Sequence, residues 1–265
     1  MADASSPILI FDSGVGGLTV YDALRDILPQ APVIYTADLA GLPYGEKSEA
    51  EVAARVAGLL GRMSERFAPR LVCIACNTAS TIALGMVRDV LEVPIVGTVP
   101  AIKPAAAMTR TGAIGLIGTA ATIRQRYVDA LERDFAADKR LLRIAAPDLV
   151  ACAEAKLRGQ AIDTKAIAQA AADLRAQADG AAIVTLVLAC THFPLLAAEL
   201  TSEFGPDVAL VDGSQGIARR IAHLVDGQPM TAPDANRFVV TGPLEAAAGL
   251  EDALVQRGFA APESF

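Results

Sequence analysis

Two cysteines, Cys76 and Cys190, end a repeated pattern and are the residues best suited to chemistry in this chain. The first copy reads Val72-Cys73-Ile74-Ala75-Cys76-Asn77-Thr78 and the second reads Val187-Leu188-Ala189-Cys190-Thr191-His192. Each is an apolar run followed by small hydrogen-bonding residues, which is typical of a buried parallel strand that carries a thiol at its carboxyl end. One thiol on each side of a cleft could remove a proton from one face of a carbon atom and return one to the other face. The pattern therefore predicts two matching halves that share a site.

The residues beside each thiol suggest how its proton could be handled. The sequence from Ala79 onward is typical of a helix, which places Cys76 near a helix N-terminus where the dipole favours a thiolate. Pro194 suits the first position of a second helix just after Cys190. His192 could serve there as a proton relay, a positive neighbour or a hydrogen-bond donor. We expect a lowered thiol pKa, with Asp12 or His192 accepting the thiol proton.

Two further loops contain residues that could hold an anionic ligand. The segment Asp12-Ser13-Gly14-Val15-Gly16-Gly17 lies between a predicted strand and a helix that begins near Leu18, so its backbone N–H groups suit a carboxylate or a phosphate. Pro43 and Gly45 predict a turn, in which Tyr44 could cover the cleft or donate its hydroxyl.

Other chemistries fit these motifs less well. A dinucleotide fingerprint in the glycine-rich loop, with Asp38 on the ribose, fails because Thr19 stands at the third glycine. The Cys-x-x-Cys formed by Cys73 and Cys76 lacks a second paired motif for zinc, and Cys73 falls inside an apolar strand, so we interpret it as a buried structural thiol. Pyridoxal phosphate requires a Schiff-base lysine, and no lysine follows a suggestive loop. We therefore expect no metal and no cofactor.

Composition and charge exclude several classes of protein. The chain has 265 residues, of which 53% are hydrophobic and 20% are charged, so we expect a globular fold with two packed lobes. A net charge of −7 argues against a nucleic-acid surface. Because no run reaches the ~18 apolar residues of a membrane span, and four cysteines suit a reducing compartment, we expect a cytoplasmic protein without a membrane partner.

Short β-branched runs alternate with helical patterns and predict an α/β fold of two pseudo-symmetric lobes, each a mostly parallel sheet flanked by helices, with the site in the cleft between them. Ser48 and Glu51 form a capping box that begins an amphipathic helix. The prolines at 100 and 104 predict the crossing between lobes within 97–104. The strand within 208–211 has no obvious partner in the second lobe, so we expect it to return to the first. The predicted lobes are therefore 1–98 plus 210–265, with Asp12 and Cys76, and 99–209, with Glu154 and Cys190. The predicted strands comprise 8–11, 33–36, 71–75, 94–97, 113–118, 142–145, 183–189 and 208–211.

Together these motifs resemble those of the glutamate racemases. The resemblance runs in order from about residue 8 to residue 221 and rests on Asp-Ser-Gly-Val-Gly-Gly-Leu-Thr-Val at 12–20, Pro-Tyr-Gly at 43–45, Ala-Cys-Asn-Thr-Ala-Ser at 75–80, Val-Pro-Ala-Ile-Lys-Pro-Ala at 99–105, Gly-Thr-Ala-Ala-Thr-Ile at 118–123, Ala-Glu-Ala-Lys-Leu at 153–157 and Cys-Thr-His-Phe-Pro-Leu-Leu at 190–196.

The resemblance implies an isomerase that interconverts L- and D-glutamate without a cofactor, the D-form serving peptidoglycan synthesis. It implies that Cys76 and Cys190 are the catalytic bases, that Asp12 assists the first thiol, and that Glu154 and His192 assist the second. Implied substrate-binding residues are Asp12, Ser13, Tyr44, Gly45, Asn77, Thr78, Thr191 and His192, with Thr119 and Thr122 as further candidates. A homodimer is expected from the family and from the frequency of two-fold association. Two alternatives stay open: a racemase of the same fold that acts on aspartate or a hydantoin, and a ligand-binding, metal or redox module built on the Cys-x-x-Cys.

Overall fold

Ten strands form two separate parallel sheets in a computed structural model that describes residues 3–265. The strands are β1 (Ile8–Asp12), β2 (Val33–Ala37), β3 (Leu71–Ile74), β4 (Ile95–Gly97), β5 (Ala113–Gly118), β6 (Arg140–Ala145), β7 (Thr185–Ala189), β8 (Ala209–Val211), β9 (Arg237–Val240) and β10 (Glu263–Ser264). The first sheet has the order β10-β9-β2-β1-β3-β4 and the second has the order β6-β5-β7-β8. Every pair within them is parallel, so the predicted α/β class with two parallel sheets is confirmed.

Helices cover both faces of each sheet. They are α1 (Leu18–Ile27), α2 (Glu49–Phe67), α3 (Asn77–Val90), α4 (Ile102–Met108), α5 (Ala120–Ile123), α6 (Arg126–Phe135), α7 (Asp148–Leu157), α8 (Thr164–Arg175), α9 (Ala197–Phe204), α10 (Ser214–Leu224) and α11 (Glu251–Val255). The predicted capping box begins α2: Ser48 accepts from the Glu51 backbone N–H, and the Glu51 carboxylate accepts from the Ser48 backbone N–H. Short 3-10 helices span Leu39–Gly41, Tyr44–Glu46, Gly180–Ala182, Phe193–Leu196 and Leu244–Ala247.

Each central strand is buried on both faces, which explains its continuous apolar sequence. In β1 the side chains of Ile8 and Ile10 pack into one hydrophobic cluster, whereas those of Leu9 and Phe11 pack into another on the opposite face. This alternation holds β1 in the middle of its sheet, so Asp12 emerges at the carboxyl edge. Within residues 3–265, no helix is both long enough and apolar enough to cross a membrane.

The expectation for the strand within 208–211 was wrong. The strand β8 pairs with β7 and completes the second sheet, and only the following helix α10 packs against the first sheet, beside α1. Because β8 is three residues long and only one of them is buried, its sequence does not reveal its neighbour. The strands β9 and β10, which extend the edge of the first sheet beyond β2, were not predicted at all.

Candidate active site

Asp12 lies at the carboxyl end of β1 and connects the two sheets through hydrogen bonds. Its side chain is fully buried. One carboxylate oxygen accepts from the Gly14 backbone N–H at 2.8 Å and from the Ser13 hydroxyl at 3.3 Å. The other accepts from the Thr191 hydroxyl at 2.8 Å, and Thr191 follows Cys190 in the second half of the chain. Asp12 therefore contacts residues beside both thiols.

Cys76 follows β3 and occupies the N-cap position of α3, as the sequence predicted. Its Sγ is 3.6 Å from the Ser13 hydroxyl oxygen, which also reaches Asp12. A chain of polar groups thus runs from the first thiol through Ser13 to a buried carboxylate.

Cys190 follows β7 and has a different set of partners. Its Sγ is 3.8 Å from His192 Nδ1, and His192 Nε2 donates to Glu154 Oε1 at 2.8 Å. Glu154 lies on α7, and the same Oε1 accepts from the Val15 backbone N–H at 2.9 Å. Arg158, one helical turn along, forms an ion pair with Glu154 Oε2. The second thiol therefore has an imidazole and a carboxylate in series behind it.

Both thiols line one cavity between the two sheets. It measures about 10 Å³, which is room for roughly one water molecule. Of the residues singled out from the sequence, it is lined by Ser13, Tyr44, Gly45, Cys76, Asn77, Thr78, Thr119, Cys190 and His192, together with Leu42, Pro43 and Val150. Asp12, Glu154 and Thr122 lie behind this wall and hydrogen-bond to residues that form it, and Thr191 lies one step further back, where it donates to Asp12. Because the cavity is smaller than an amino acid, substrate entry requires the walls to separate.

A larger cavity of about 530 Å³ adjoins the small one and shares five wall residues with it. The shared residues are Leu42, Pro43, Gly45, Thr119 and Val150. The two cavities therefore have these five residues as a common wall.

Three buried hydroxyls form a triangle across the cleft. Thr78 Oγ1 lies 3.0 Å from Thr119 Oγ1 and 3.1 Å from Thr122 Oγ1, and the last two are 3.0 Å apart. A hydroxyl can rotate its proton toward an acceptor, so the triangle can turn several donors toward an anion. Nearby, Asn77 Oδ1 is buried and has no hydrogen-bond partner among the residues that the structure describes.

Tyr44 lines the cavity, but its hydroxyl already has a partner. It donates to the buried carboxylate of Asp38, which also binds Arg55 and Thr241. Burial and the Asp38 charge raise the pKa of Tyr44, so its hydroxyl stays protonated. Gly45, the next residue, lies so close to Thr119 that an added Cβ would be 2.9 Å from the threonine Cβ.

The electrostatics of Cys76 differ from the sequence-based expectation. Burial, and next the charge of Asp12, raise the pKa of Cys76 to about 12, so the predicted lowering is wrong for this thiol. Removal from water outweighs the helix N-terminus, because a thiolate loses its hydration in a closed cavity. Burial likewise raises the pKa of Asp12, which makes that carboxylate a better proton acceptor than an exposed one.

The partners of Cys190 favour a charged imidazole. Burial alone would lower the pKa of His192, but its hydrogen bonds to Cys190 and Glu154, together with their charges, outweigh burial and raise it well above its usual value. Burial alone would raise the pKa of Glu154, but His192, Arg158 and the Val15 N–H lower it to about 2. A His192 imidazolium paired with a Glu154 carboxylate follows, and this pair lies directly behind the second thiol.

The Cys-x-x-Cys motif raised the alternatives of a redox pair and a metal site. Cys73 is buried in β3 and lies outside the small cavity, in agreement with its interpretation as a structural thiol. All four cysteines are free. Across residues 3–265, no cluster of three or more histidine, cysteine or acidic side chains is arranged to hold a metal ion.

Sequence reasoning missed Arg158 and the backbone N–H of Val15. The spacing of Glu154 and Arg158, four residues apart on a helix, was a signal for the first, since such residues lie on one face. No sequence signal identifies the second, because a backbone N–H is present at every residue except proline.

Gly16→Ala tests how closely the two thiol loops must approach. An added Cβ would lie 2.6 Å from both the backbone nitrogen and Nδ1 of His192, so the 190–192 loop must move. A displacement of about 1 Å costs roughly 100-fold in rate, and we expect a fall of that size in kcat. Steady-state kinetics on glutamate, the substrate that the sequence resemblance implies, provide the measurement.

Gly85→Ala is the matched control. Nothing lies within 4 Å of its added Cβ, and Gly85 is inside α3, so we expect unchanged kcat and a gain of about 0.5–1 kcal/mol in unfolding free energy. Equal kcat for the Gly16 variant and the wild type would show that the loops tolerate separation.

Two thiols that line one small cavity, each following a strand of a different sheet, suit a racemase, an isomerase that moves a proton across a carbon centre. Comparison with known proteins agrees: residues 18–221 match the family model described as Asp/Glu/Hydantoin racemase. The chain belongs to this family. The resemblance to the glutamate racemases is confirmed by two relatives: the enzyme of Sphingopyxis alaskensis is 62% identical over 86% of this chain and 85% of its own length, and that of Vibrio cholerae is 43% identical over 98% and 96%.

A solved structure supports the same assignment. The Escherichia coli glutamate racemase, in complex with L-glutamate and the activator UDP-MurNAc-Ala, has a TM-score of 0.89 and 38% identity and covers 98% of each chain. An allantoin racemase from Klebsiella pneumoniae, at 18% identity and a TM-score of 0.53, shares the fold alone.

Proposed function

We propose that this chain interconverts L- and D-glutamate, with Cys76 and Cys190 as the two bases. The observation that carries the proposal is the shared cavity, into which one thiol enters from each sheet, each with its own acid–base partners. The glutamate racemases among its relatives favour glutamate over aspartate or a hydantoin.

The proton transfers balance within the site. A thiolate on one side takes the α-proton, so the Cα–H bond breaks, an S–H bond forms and the electron pair is delocalised onto the carboxylate of the substrate. The opposite thiol gives its proton to the other face of the same carbon and becomes a thiolate. The configuration is inverted, and the two cysteines have exchanged roles without a cofactor.

The groups around Cys76 suit its use as the first donor. Its raised pKa keeps it as a thiol in the closed, substrate-free site, and Ser13 and Asp12 offer a route for the proton when Cys76 must act as a base. On the opposite side, His192 Nδ1 lies 3.8 Å from the Cys190 sulfur and can exchange a proton with it. We therefore infer a resting state in which Cys76 keeps its proton.

The polar lining suits a zwitterionic substrate with an additional carboxylate. The Thr78, Thr119 and Thr122 hydroxyls supply donors for a carboxylate, and the free acceptor Asn77 Oδ1 suits the α-ammonium group. Preorganised donors of this kind stabilise the charge that develops on the carboxylate when the α-proton leaves.

Isotope exchange in deuterated buffer tests the proposal. The protein is incubated with L-glutamate without added cofactor, while circular dichroism follows optical activity and NMR follows α-deuterium. We expect loss of ellipticity, with deuterium appearing first in the D-product, because the second thiol carries a solvent-derived deuteron. No change in a folded, reduced sample would contradict the proposal, and initial rates on aspartate and a hydantoin would then decide between the alternatives.

We further propose the cellular setting and the organisation of the molecule. The product D-glutamate serves peptidoglycan synthesis in the cytoplasm, and the protein acts as a homodimer, which light scattering tests. The lobes comprise 3–98 plus 212–265 and 99–211, a division revised from the sequence-based one because β8 pairs with β7.

A further inference from the structure

The Glu154 carboxylate reaches Arg158 through one oxygen and the site through the other. Its Oε1 accepts from the Val15 backbone N–H and from His192 Nε2. Its Oε2 is bound by Arg158, the one partner of that oxygen among residues 3–265. The carboxylate cannot rotate without breaking a bond at one end, so the contact at Oε2 decides where Oε1 points.

Arg158 is itself held firmly. It caps the C-terminus of α7, and its Nη1 donates to the backbone oxygen of Glu154 at 3.0 Å as well as to the carboxylate. Its Nη2 donates to the backbone oxygen of Ala246 at 3.3 Å, in the segment that follows β9 of the first sheet. The side chain is only 14% exposed. Arg158 therefore joins Glu154 to both sheets.

We propose that Arg158 is a positioning residue for the second half of the active site: by binding Glu154 Oε2 it aims Oε1 at His192 and so holds the imidazole against Cys190. This proposal rests on the roles proposed above for Cys190 and His192. A surface pair at this spacing would stabilise the helix only slightly. Here the pair is largely buried, with 14% of the Arg158 side chain and 10% of the Glu154 side chain exposed. The Glu154 carboxylate also binds His192, which contacts the reacting thiol.

The charges around the pair set the expected pH dependence. Glu154 faces His192, Arg158 and, at longer range, Asp12, while Tyr35 beside it stays neutral because burial raises its pKa well above the usual value. His192 faces Cys190, Glu154 and Asp12. Arg158 is among the groups that keep the Glu154 pKa low, so its removal moves that pKa upward. In the variant, Glu154 then takes up a proton at a higher pH, and its ion pair with His192 is lost.

Arg158→Met tests the proposal because methionine keeps much of the apolar stem and removes the charge and the donors. We expect kcat to fall about 10- to 100-fold, the range for loss of a charge-assisted hydrogen bond. The acid limb of the kcat/KM profile should move to higher pH. Arg158→Lys keeps the charge. Its acid limb should therefore lie closer to the wild-type position than that of Arg158→Met, and its kcat should lie between those of Arg158→Met and the wild type.

Isotope effects separate a positioning role from a structural one. The two enantiomers are equally stable, so kcat/KM must change equally in both directions. If the step at Cys190 alone is slowed, however, the α-deuterium effect grows for the enantiomer whose proton Cys190 removes and shrinks for the other. A merely destabilised protein contains less active enzyme, with unchanged isotope effects and an unchanged acid limb.

Lys156→Met is the matched control. It removes one positive charge from the same helix, but Lys156 pairs with Glu199 in a partly exposed contact and touches neither Glu154 nor His192, so kinetics should match the wild type. A wild type that is inactive on glutamate would refute the proposed function itself. An active wild type with an Arg158→Met variant of unchanged pH profile and isotope effects would overturn only the positioning role. If Arg158→Met does not fold, kcat and the isotope effects of Arg158→Lys decide, and wild-type values of both count against the proposal.

Discussion

Replacing Cys76 or Cys190 by serine is expected to lower kcat for glutamate racemisation by about 1,000-fold, within the range for loss of a positioned acid–base group. A serine hydroxyl is a far weaker acid than a thiol, so it cannot carry the proton for either face. Both sulfurs line the same cavity, and neither of the other two cysteines lines it, so no other thiol of the chain can take over their role. Polarimetry in each direction provides the measurement.

The two variants should also differ from each other in deuterated buffer. With one thiol left, the α-proton can be removed and returned on the same face only. Cys76→Ser should therefore wash deuterium into one enantiomer without racemisation, and Cys190→Ser should do so with the other. Exchange of the same enantiomer in both variants would contradict a two-base mechanism.

The other two cysteines serve as controls. Cys73 is buried in β3 and Cys152 is buried in α7, and neither lines the small cavity. Alanine at either position should leave kcat within a few-fold of the wild type. Full activity in the Cys76 variant together with loss of activity in the Cys73 variant would show that Cys73, and not Cys76, is the catalytic base.

Replacing Asp38 by alanine is expected to lower the free energy of unfolding by about 3 kcal/mol, the usual cost of breaking a buried ion pair. Asp38 is fully buried at the end of β2 and accepts hydrogen bonds from Tyr44, Arg55 and Thr241. The Tyr44 hydroxyl would be left buried without its partner, and the 42–45 loop would lose its anchor. Urea unfolding followed by circular dichroism measures the change.

Activity should fall with stability in the Asp38 variant, because the 42–45 loop forms part of the cavity wall beside Thr119. Asp22→Ala is the control: its pair with Arg257 lies at the surface, with 45% of the Asp22 side chain exposed, and should contribute less than about 1 kcal/mol. An equal loss of stability in both variants would show that the buried Asp38 network contributes no more to the free energy of unfolding than an exposed ion pair does.

Much of the site was predictable because its residues follow the carboxyl ends of buried strands. Asp12, Cys76 and Cys190 each come directly after or close to the end of β1, β3 or β7, which the apolar runs revealed. Parallel strands bring their carboxyl ends to one edge of a sheet. The placement of these loops therefore follows from local sequence alone.

The sequence by itself determined the parallel α/β class, the strands that carry the site and the chemical type of its residues. Only the tertiary structure decided which sheet receives β8, that β9 and β10 extend the first sheet, and that Arg158 and the Val15 N–H fix Glu154. It also reversed the expected direction for the Cys76 pKa, since burial outweighed the helix terminus. The physical reason is common to these cases. Strand pairing, backbone hydrogen bonds and desolvation all depend on which residues lie nearby in space, and those residues are far apart in the chain.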